Sequence, residues 1–279
     1  MLKTLFSISI PIYNQIKYLS KCLETIENQT FENFEVIMID DGSIDGSDII
    51  CKKYCEKDYR FKYYYYKNSG VSVTRNRLLE KVNGKYIIMI DPDDYIDKEM
   101  LKNLNKKINE NKKIDVIRFK AIVVNDLPEK NIYRFNFEKK IKFGIDGVEA
   151  LKNWSLEKNR KYAVPWLYCI KSQLYNNIEF PVNRVHEDFA IYPIILARAH
   201  NVVTLDKICY YYVQHSNSLM NKKNINQKLK KLEDWIINYY NLKNSLEDIF
   251  KSKNINDEIK KIIYDDLLRR TILIIEKYK

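Results

Sequence analysis

"IIMIDPDDYID", residues 87–97, decides how the chain is read: an apolar run stops abruptly on Asp91, Asp93 and Asp94, with Asp97 just beyond. Like charges so close together repel one another unless something positive sits among them. The run before the acids, "YIIMI" (86–90), has the length and near-continuous hydrophobicity of a strand buried on both faces. A strand that ends on a carboxylate cluster therefore presents two questions, what fold buries the strand and what the carboxylates face.

The residues upstream answer the first. "FSISIPIY" (6–13) reads as a strand, and "YLSKCLETIENQ" (18–29) follows with Leu19, Cys22, Leu23 and Ile26 at helical spacing. "FEVIMID" (34–40) is a second apolar strand that runs into Asp40-Asp41-Gly42-Ser43. "SDIICKKYCEKD" (47–58) is helical and "FKYYYY" (61–66) is a third strand. Asn68-Ser69-Gly70 signals a turn before the helical "SVTRNRLLEKV" (72–82). Strand and helix alternate, so the sheet is expected to be mostly parallel and covered by helices, an α/β fold. Ligands of such sheets bind beyond the carboxyl ends of the strands. That rule puts Pro11-Ile12-Tyr13-Asn14, the Asp40–Ser43 turn and the 91–94 cluster on one rim.

Composition bounds the rest. With 279 residues, 46% of them hydrophobic, the chain can bury a sizeable core, which excludes a disordered class. The net charge of +11 admits nucleic acid, an anionic membrane face or an anionic substrate. No nucleic-acid motif accompanies it and acidic residues are interspersed, so no nucleic-acid partner is expected. Residues 1–12 lack a signal-peptide pattern and no run approaches the ~18 apolar residues of a membrane span. Five cysteines, an odd number without paired spacing, suggest reduced thiols and a cytoplasmic protein. Cys51 and Cys55, one helical turn apart, read as packing residues rather than zinc ligands.

The second half is less regular. "IDVIRFKAIVV" (114–124) reads as a strand and "NIYRFNF" (131–137) as a further candidate. "AIYPIILARAH" (190–200) looks helical, with a bend expected at Pro193 unless the helix starts late. "NVVTL" (201–205) and "ICYYYVQ" (208–214) look like a short strand pair. From about Asn224 the chain is Lys-rich and helical, with Ile259, Ile262, Ile263 and Leu267 on one face. No repeat or flexible linker appears, so this tail is expected to pack on the body.

Two carboxylates one residue apart at a strand end can hold a hard cation such as Mg²⁺ or Mn²⁺ through oxygen, leaving positions for water and substrate phosphates. The competing reading is a solvated turn in which Asp94 or Asp97 caps the helix beginning near Lys98. Taken alone, the cluster does not choose between them.

"SISIPIYNQIKYLSKCLETIENQTFENFEVIMIDDGSIDGS", followed in order by "NSGVSVTRN" and "GKYIIMIDPDDYI", resembles family 2 glycosyltransferases with the GT-A fold, of the bacterial surface-polysaccharide type. The resemblance covers roughly residues 5–105, with weaker echoes to about 215. It implies a Rossmann-like, mostly parallel central sheet flanked by helices, with a C-terminal helical extension. The expected organisation is a GT-A domain over 1–218, a nucleotide-sugar half of about 1–105 and an acceptor half of about 106–218, then helices over 219–279. The implied activity is transfer of a sugar from a nucleotide-sugar, most often a UDP-sugar, to a hydroxyl of a glycan or lipid-linked acceptor, assisted by Mn²⁺ or Mg²⁺. Contact with the inner face of an anionic membrane would fit the charge.

Residue by residue, the resemblance implies that Pro11 and Tyr13 lie at the nucleotide, with Asp40 or Asp41 hydrogen-bonding the base. Asp91 would sit near the ribose or donor sugar, Asp93 would ligate the metal with Asp91 beside it, and Asp94 could share either role. Arg75 and Asn76 match the family's Arg-Asn pair near the donor. Leu78 stands where a glycine is usual, which puts the local helix packing in question. "NRVHEDFAIYP" (183–193) supplies Glu187 and Asp188, with Asp188 expected to be the base of an inverting mechanism and Glu187 to orient hydroxyls. "AVPWLYCIKSQLY" (163–175) resembles the family's Trp-containing helix beside the acceptor, where Trp166 could stack on a sugar. His215 falls where the family often has Arg, as a diphosphate contact or metal ligand.

Plainer readings stand beside these: a packed Tyr13 or Trp166, an ordinary Asp-Asp-Gly-Ser turn, a solvated Arg75, an N-cap at Asp188 and a surface His215. Two other classes also compete. A sugar-nucleotide pyrophosphorylase should carry a Gly-rich N-terminal loop, where this chain has Pro11-Ile12-Tyr13-Asn14. A non-enzymatic basic adaptor would account for the charge and leave the acidic rim unexplained.

Overall fold

Strand β1 (Phe6–Ile12) lies inside the sheet, with β2 (Phe34–Asp40) on one side and β4 (Tyr86–Met89) on the other, both parallel to it. The computed structural model describes residues 4–125, 134–157, 163–214 and 225–278. β3 (Phe61–Tyr65) completes a parallel edge beside β2. The connecting helices are α1 (Ile16–Glu27), α2 (Ser47–Lys57) and α3 (Val71–Lys81). Leu19, Cys22, Leu23 and Ile26 of α1 are buried, as their spacing requires. A fully buried Leu or Ile contributes about 1.5–3 kcal/mol, so this one stripe suffices to hold the helix on the sheet.

Because side chains alternate along a strand, β2 serves two cores. Val36 and Met38 join the main hydrophobic cluster, while Ile37 and Ile39 pack on the opposite face against Leu78 of α3. Leu78 is fully buried there. The departure from glycine at that position is thus accommodated by packing.

Beyond β4 the sheet changes character. β5 (Tyr95–Ile96), α4 (Met100–Glu110), β6 (Val116–Asn125), β7 (Arg134–Phe135) and α5 (Gly147–Leu156) follow. Then come β8 (Tyr168–Lys171), α6 (Glu187–Arg198) and β9 (Val202–Gln214). The strand order is β3-β2-β1-β4-β8-β6-β9-β5, with β7 paired to β6. β8 runs antiparallel to β4 and β6, whereas β9 runs parallel to β6. The sheet is therefore mixed, with its purely parallel part confined to the first half.

Several expectations for the second half are corrected. The 201–205 and 208–214 segments form one strand, kept continuous by register shifts around Lys120 of β6. A bulge of this kind absorbs extra residues without ending the pairing. The 163–175 segment is not a helix. It is a 3-10 turn (Pro165–Leu167), strand β8 and a second 3-10 turn (Ser172–Tyr175). Helix α6 starts at Glu187 and carries Pro193 inside it. Every residue from Phe189 to Ala197 is buried, so tertiary packing outweighs the hydrogen bond the proline removes.

The tail forms two helices, α7 (Ile225–Ser252) and α8 (Asp257–Tyr278). α7 packs on α6, and α8 packs on α5 and α7. Leu242, Leu246, Phe250, Ile263 and Leu267 are buried in the main core, as expected of a tail packed on the body. All five cysteines are free thiols. No described helix is long and apolar enough to cross a membrane.

Candidate active site

Register places the strand ends together. Ile12 pairs with Asp40 and Asp40 with Tyr65, while Ser9 pairs with Met89, two residues before Asp91. The β1 and β2 turns and the acidic cluster accordingly share the carboxyl edge of the sheet. Pro11 pairs with Ile39 inside β1, and Tyr13, just past the strand, is 50% exposed.

The Asp-Asp-Gly-Ser turn is held from within. Asp40 is fully buried: its Oδ1 accepts the Ser43 N–H (2.7 Å) and its Oδ2 the Tyr63 hydroxyl (2.8 Å). Asp41 accepts from Ser69 N (2.9 Å), Ser69 Oγ (2.8 Å) and Gly70 N (2.7 Å), fastening the turn to the start of α3. Gly42 has φ +83°, and a side chain there would come within 2.8 Å of Asn68 N. Both carboxylates are thus occupied by protein donors. These bonds shape the rim.

The 91–94 cluster divides its members. Asp94 is buried; its Oδ2 accepts the Tyr210 hydroxyl (2.6 Å) and its Oδ1 the Val213 N–H (2.7 Å). Tyr210 Oη in turn accepts the Asp91 N–H (3.1 Å). Asp94 therefore ties the turn to β9 and is corrected from a ligand-facing to an anchoring role. Asp97 caps the next turn, accepting the Glu99 N–H (2.9 Å). Asp91 and Asp93 keep partial exposure, 30% for the Asp91 side chain.

Arg75 crosses from this rim to α6. Its Nη1 pairs with Glu187 Oε1, and its Nη2 stands 3.8 Å from Asp91 Oδ1. The Arg75 Nε is buried without an acceptor among the described residues, an orphaned donor beside the carboxylates. Asn76 is different: its amide donates to Phe180 O (3.0 Å) and accepts the Phe180 N–H (2.7 Å). It clamps the loop before α6.

Asp188 stands next to Glu187 at the start of α6, with its Oδ1 accepting the Phe189 N–H (2.7 Å). Burial, then the neighbouring Glu187 charge, push its carboxyl up to about 7, against the pull of Arg75. Burial likewise pushes Asp91 up to about 6, with Arg75 opposing and Asp93 and Glu187 adding to the rise. Asp94 rises to about 9 through burial and the Asp91 and Asp93 charges. Crowded carboxylates with raised pKa values are a recognised mark of functional sites.

Among the described residues no three His, Cys, Asp or Glu side chains form a metal cage. A hard cation shared with substrate phosphates needs only one or two carboxylates. Asp91 and Asp93 could supply that number: both are partly exposed, and burial first, then the Asp93 and Glu187 charges against the pull of Arg75, hold the Asp91 carboxyl up, a condition a cation would relieve. His215 lies outside the described residues. Trp166 is 5% exposed, stacked on Tyr210 (4.7 Å) and Tyr212 (5.3 Å) and edged by Phe135 (4.8 Å). It is a core ring here and not an open platform for a sugar. A groove of about 850 Å³ lined by Lys107, Lys142 and Lys207 lies apart from these residues.

The sheet edge, the acidic turn and the Arg-bridged carboxylates together form one polar rim on an α/β fold. The chain belongs to glycosyl transferase family 2, whose family model matches residues 7–164. It is 30% identical over 227 residues to the glycosyltransferase GlyA of Streptococcus pneumoniae, covering 76% of this chain but 31% of that protein. To GlyG of the same organism it is 28% identical, covering 77% of this chain and 73% of that one. The fold is similar to TarS 1-349 of S. aureus, with TM-score 0.73 and 24% identity over 95% of this chain and 71% of that one. It is also similar to a Pyrobaculum calidifontis mannosyltransferase solved with GDP-Man and Mn²⁺, with TM-score 0.58 and 12% identity over 100% of this chain and 74% of that one.

Proposed function

We propose that the protein is a metal-dependent, inverting glycosyltransferase. It would move a sugar from a UDP-sugar to a hydroxyl of a glycan or lipid-linked acceptor in surface-polysaccharide, capsule or lipopolysaccharide synthesis. The observation that carries this reading is the meeting of Asp188 and Glu187 with Arg75 and Asp91. That meeting sets a candidate base, with its pKa pushed up to about 7, beside the acidic rim. A base matched to neutral pH is what removal of a hydroxyl proton requires.

In this reading the Asp188 carboxylate takes the acceptor hydroxyl's proton as the oxygen attacks the anomeric carbon, giving inversion in one displacement. Glu187, fixed by Arg75, orients the sugar hydroxyls. Tyr13 lies against the base and the Arg75 guanidinium faces the diphosphate. Asp93 and Asp91 would hold Mn²⁺ or Mg²⁺, which when bound neutralises charge on the leaving diphosphate.

Support for the donor comes from TarS, solved with UDP-GlcNAc and with UDP, and support for the metal from the mannosyltransferase complex. Over 117 residues the chain is also 42% identical to the Bacillus subtilis minor teichoic acid biosynthesis protein GgaB, of which it covers 13%. That likeness favours a surface-polymer acceptor. The charge of +11 supports working at the inner face of an anionic membrane.

The test is a screen of nucleotide sugars for Mn²⁺-dependent hydrolysis or transfer, preceded by thermal melts with nucleotides and metal. A rise in melting temperature with UDP and Mn²⁺ is expected. No shift with any nucleotide would overturn the reading.

A further inference from the structure

The residues that present Glu187 and Asp188 are not held by the nucleotide half alone. Val185 and His186 belong to no helix or strand, and His186 takes a left-handed conformation (φ 60°, ψ 39°) immediately before α6. A non-glycine residue persists in that conformation only where its surroundings impose it. Here the surroundings are α7. Asp234 Oδ2 accepts the Val185 N–H (3.1 Å), and Asn238 Nδ2 donates to Val185 O (3.0 Å) and His186 O (3.3 Å).

Trp235, one residue on from Asp234, stacks on Phe189 (4.1 Å) and meets the His186 ring edge-on (4.9 Å). Its indole N–H donates to Thr271 of α8 (3.0 Å), so the second tail helix steadies the first. Asn238 is 0% exposed and Asp234 2%. Polar side chains so deep in a helix interface are unfavourable unless bonded, and these bond the loop. At the loop's other end Asn76 of α3 grips both backbone groups of Phe180.

We infer that Asn238, with Asp234 and Trp235, is a positioning group for the Glu187–Asp188 pair. The C-terminal hairpin thereby acts on the working site through the 183–186 turn. This rests on the proposed role of Asp188.

The full chain carrying Asn238→Asp, which keeps the shape but cannot donate, tests it, with Asn238→Ser as the second variant should the first not fold. Amide exchange across 183–190 should quicken about tenfold while 68–97 stays unchanged, and UDP should bind within twofold of wild type. With the nucleotide sugar found by the screen, kcat should fall at least tenfold at nearly constant donor KM. Unchanged exchange at 183–190 overturns the inference, as does faster exchange throughout the chain with loss of UDP binding. Asp188→Asn, measured alongside, separates the two ideas. If that variant still turns over, the base assignment fails, whereas an inactive Asp188→Asn with a fully active Asn238→Asp sinks only the positioning role.

Discussion

Buried Arg75 on α3 and partly buried Glu187 at the head of α6 form an ion pair across 112 residues of sequence, and the same guanidinium stands 3.8 Å from Asp91. One side chain thus links the acidic rim at the end of β4 to the carboxylate pair at the start of α6. Burial opposes its charge, but the Glu187, Asp91 and Asp188 carboxylates win and hold it firmly protonated.

Removing that link should be severe. Arg75→Met leaves Glu187 and Asp91 without their buried countercharge, a change that costs about 3–5 kcal/mol when one partner of such a pair is lost. Urea unfolding should show it. Arg75→Lys should recover only part, because an ammonium cannot serve two carboxylates with a planar fork. A loss below 1 kcal/mol in the Met variant would mean the pair is not structurally important.

Asp188→Asn is expected to reduce kcat by roughly 10²–10⁴, the usual range for a positioned acid or base. UDP affinity, measured by calorimetry, should stay within about twofold, since Asp188 is held at the start of α6 by the Phe189 N–H, away from the Tyr13 and Asp40 turns in sequence. Turnover near wild type would remove Asp188 from the mechanism.

Tyr13 is half-exposed at the end of β1, so Tyr13→Ala should leave the melting temperature unchanged. Base stacking on an aromatic ring is worth about 1–3 kcal/mol. UDP binding should therefore weaken about tenfold. Equal UDP affinity in the variant would return Tyr13 to the status of a surface aromatic.

The acidity of the site has a definite sign. Asp91, Asp188 and Asp94 have folded pKa values raised to about 6, 7 and 9. The folded protein therefore keeps protons that the unfolded chain releases near pH 4, and stability should fall as pH climbs from about 4 towards 9. Denaturant melts across that range should show the decline, flattened by Mn²⁺ with UDP. Asp188→Asn should reduce the slope around pH 7. With Asp188 as the proposed base, turnover should instead rise through about pH 7. A stability that increases over this window would contradict the crowding of carboxylates.

How much was legible beforehand varies with the range of the interaction involved. The first four strands and three helices were readable to within about two residues, because their burial follows local periodicity. Val36 and Met38 against one core and Ile37 and Ile39 against the other leave no ambiguity in "FEVIMID". The Asn68-Ser69-Gly70 turn was visible too, but not that its donors hold Asp41. Asp94 and Asp93 look alike in a string of letters. Only the arrival of Tyr210 and Val213 from β9, 116 and 119 residues away, makes one an anchor and leaves the other at the rim. Trp166 could not be read as core, since its partners Tyr210, Tyr212 and Phe135 come from other strands.

By itself the sequence determined the alternating architecture and the residue types at the strand ends, because both are written in near-neighbour spacing. Which carboxylates stay partly exposed, which are tied to β9, and how α7 reaches back to hold the turn before Asp188 were decided in three dimensions. Those outcomes depend on hydrogen bonds between residues about 50 to 120 positions apart, and pairings at such distance are set by how the sheet closes and the helices pack, not by local pattern.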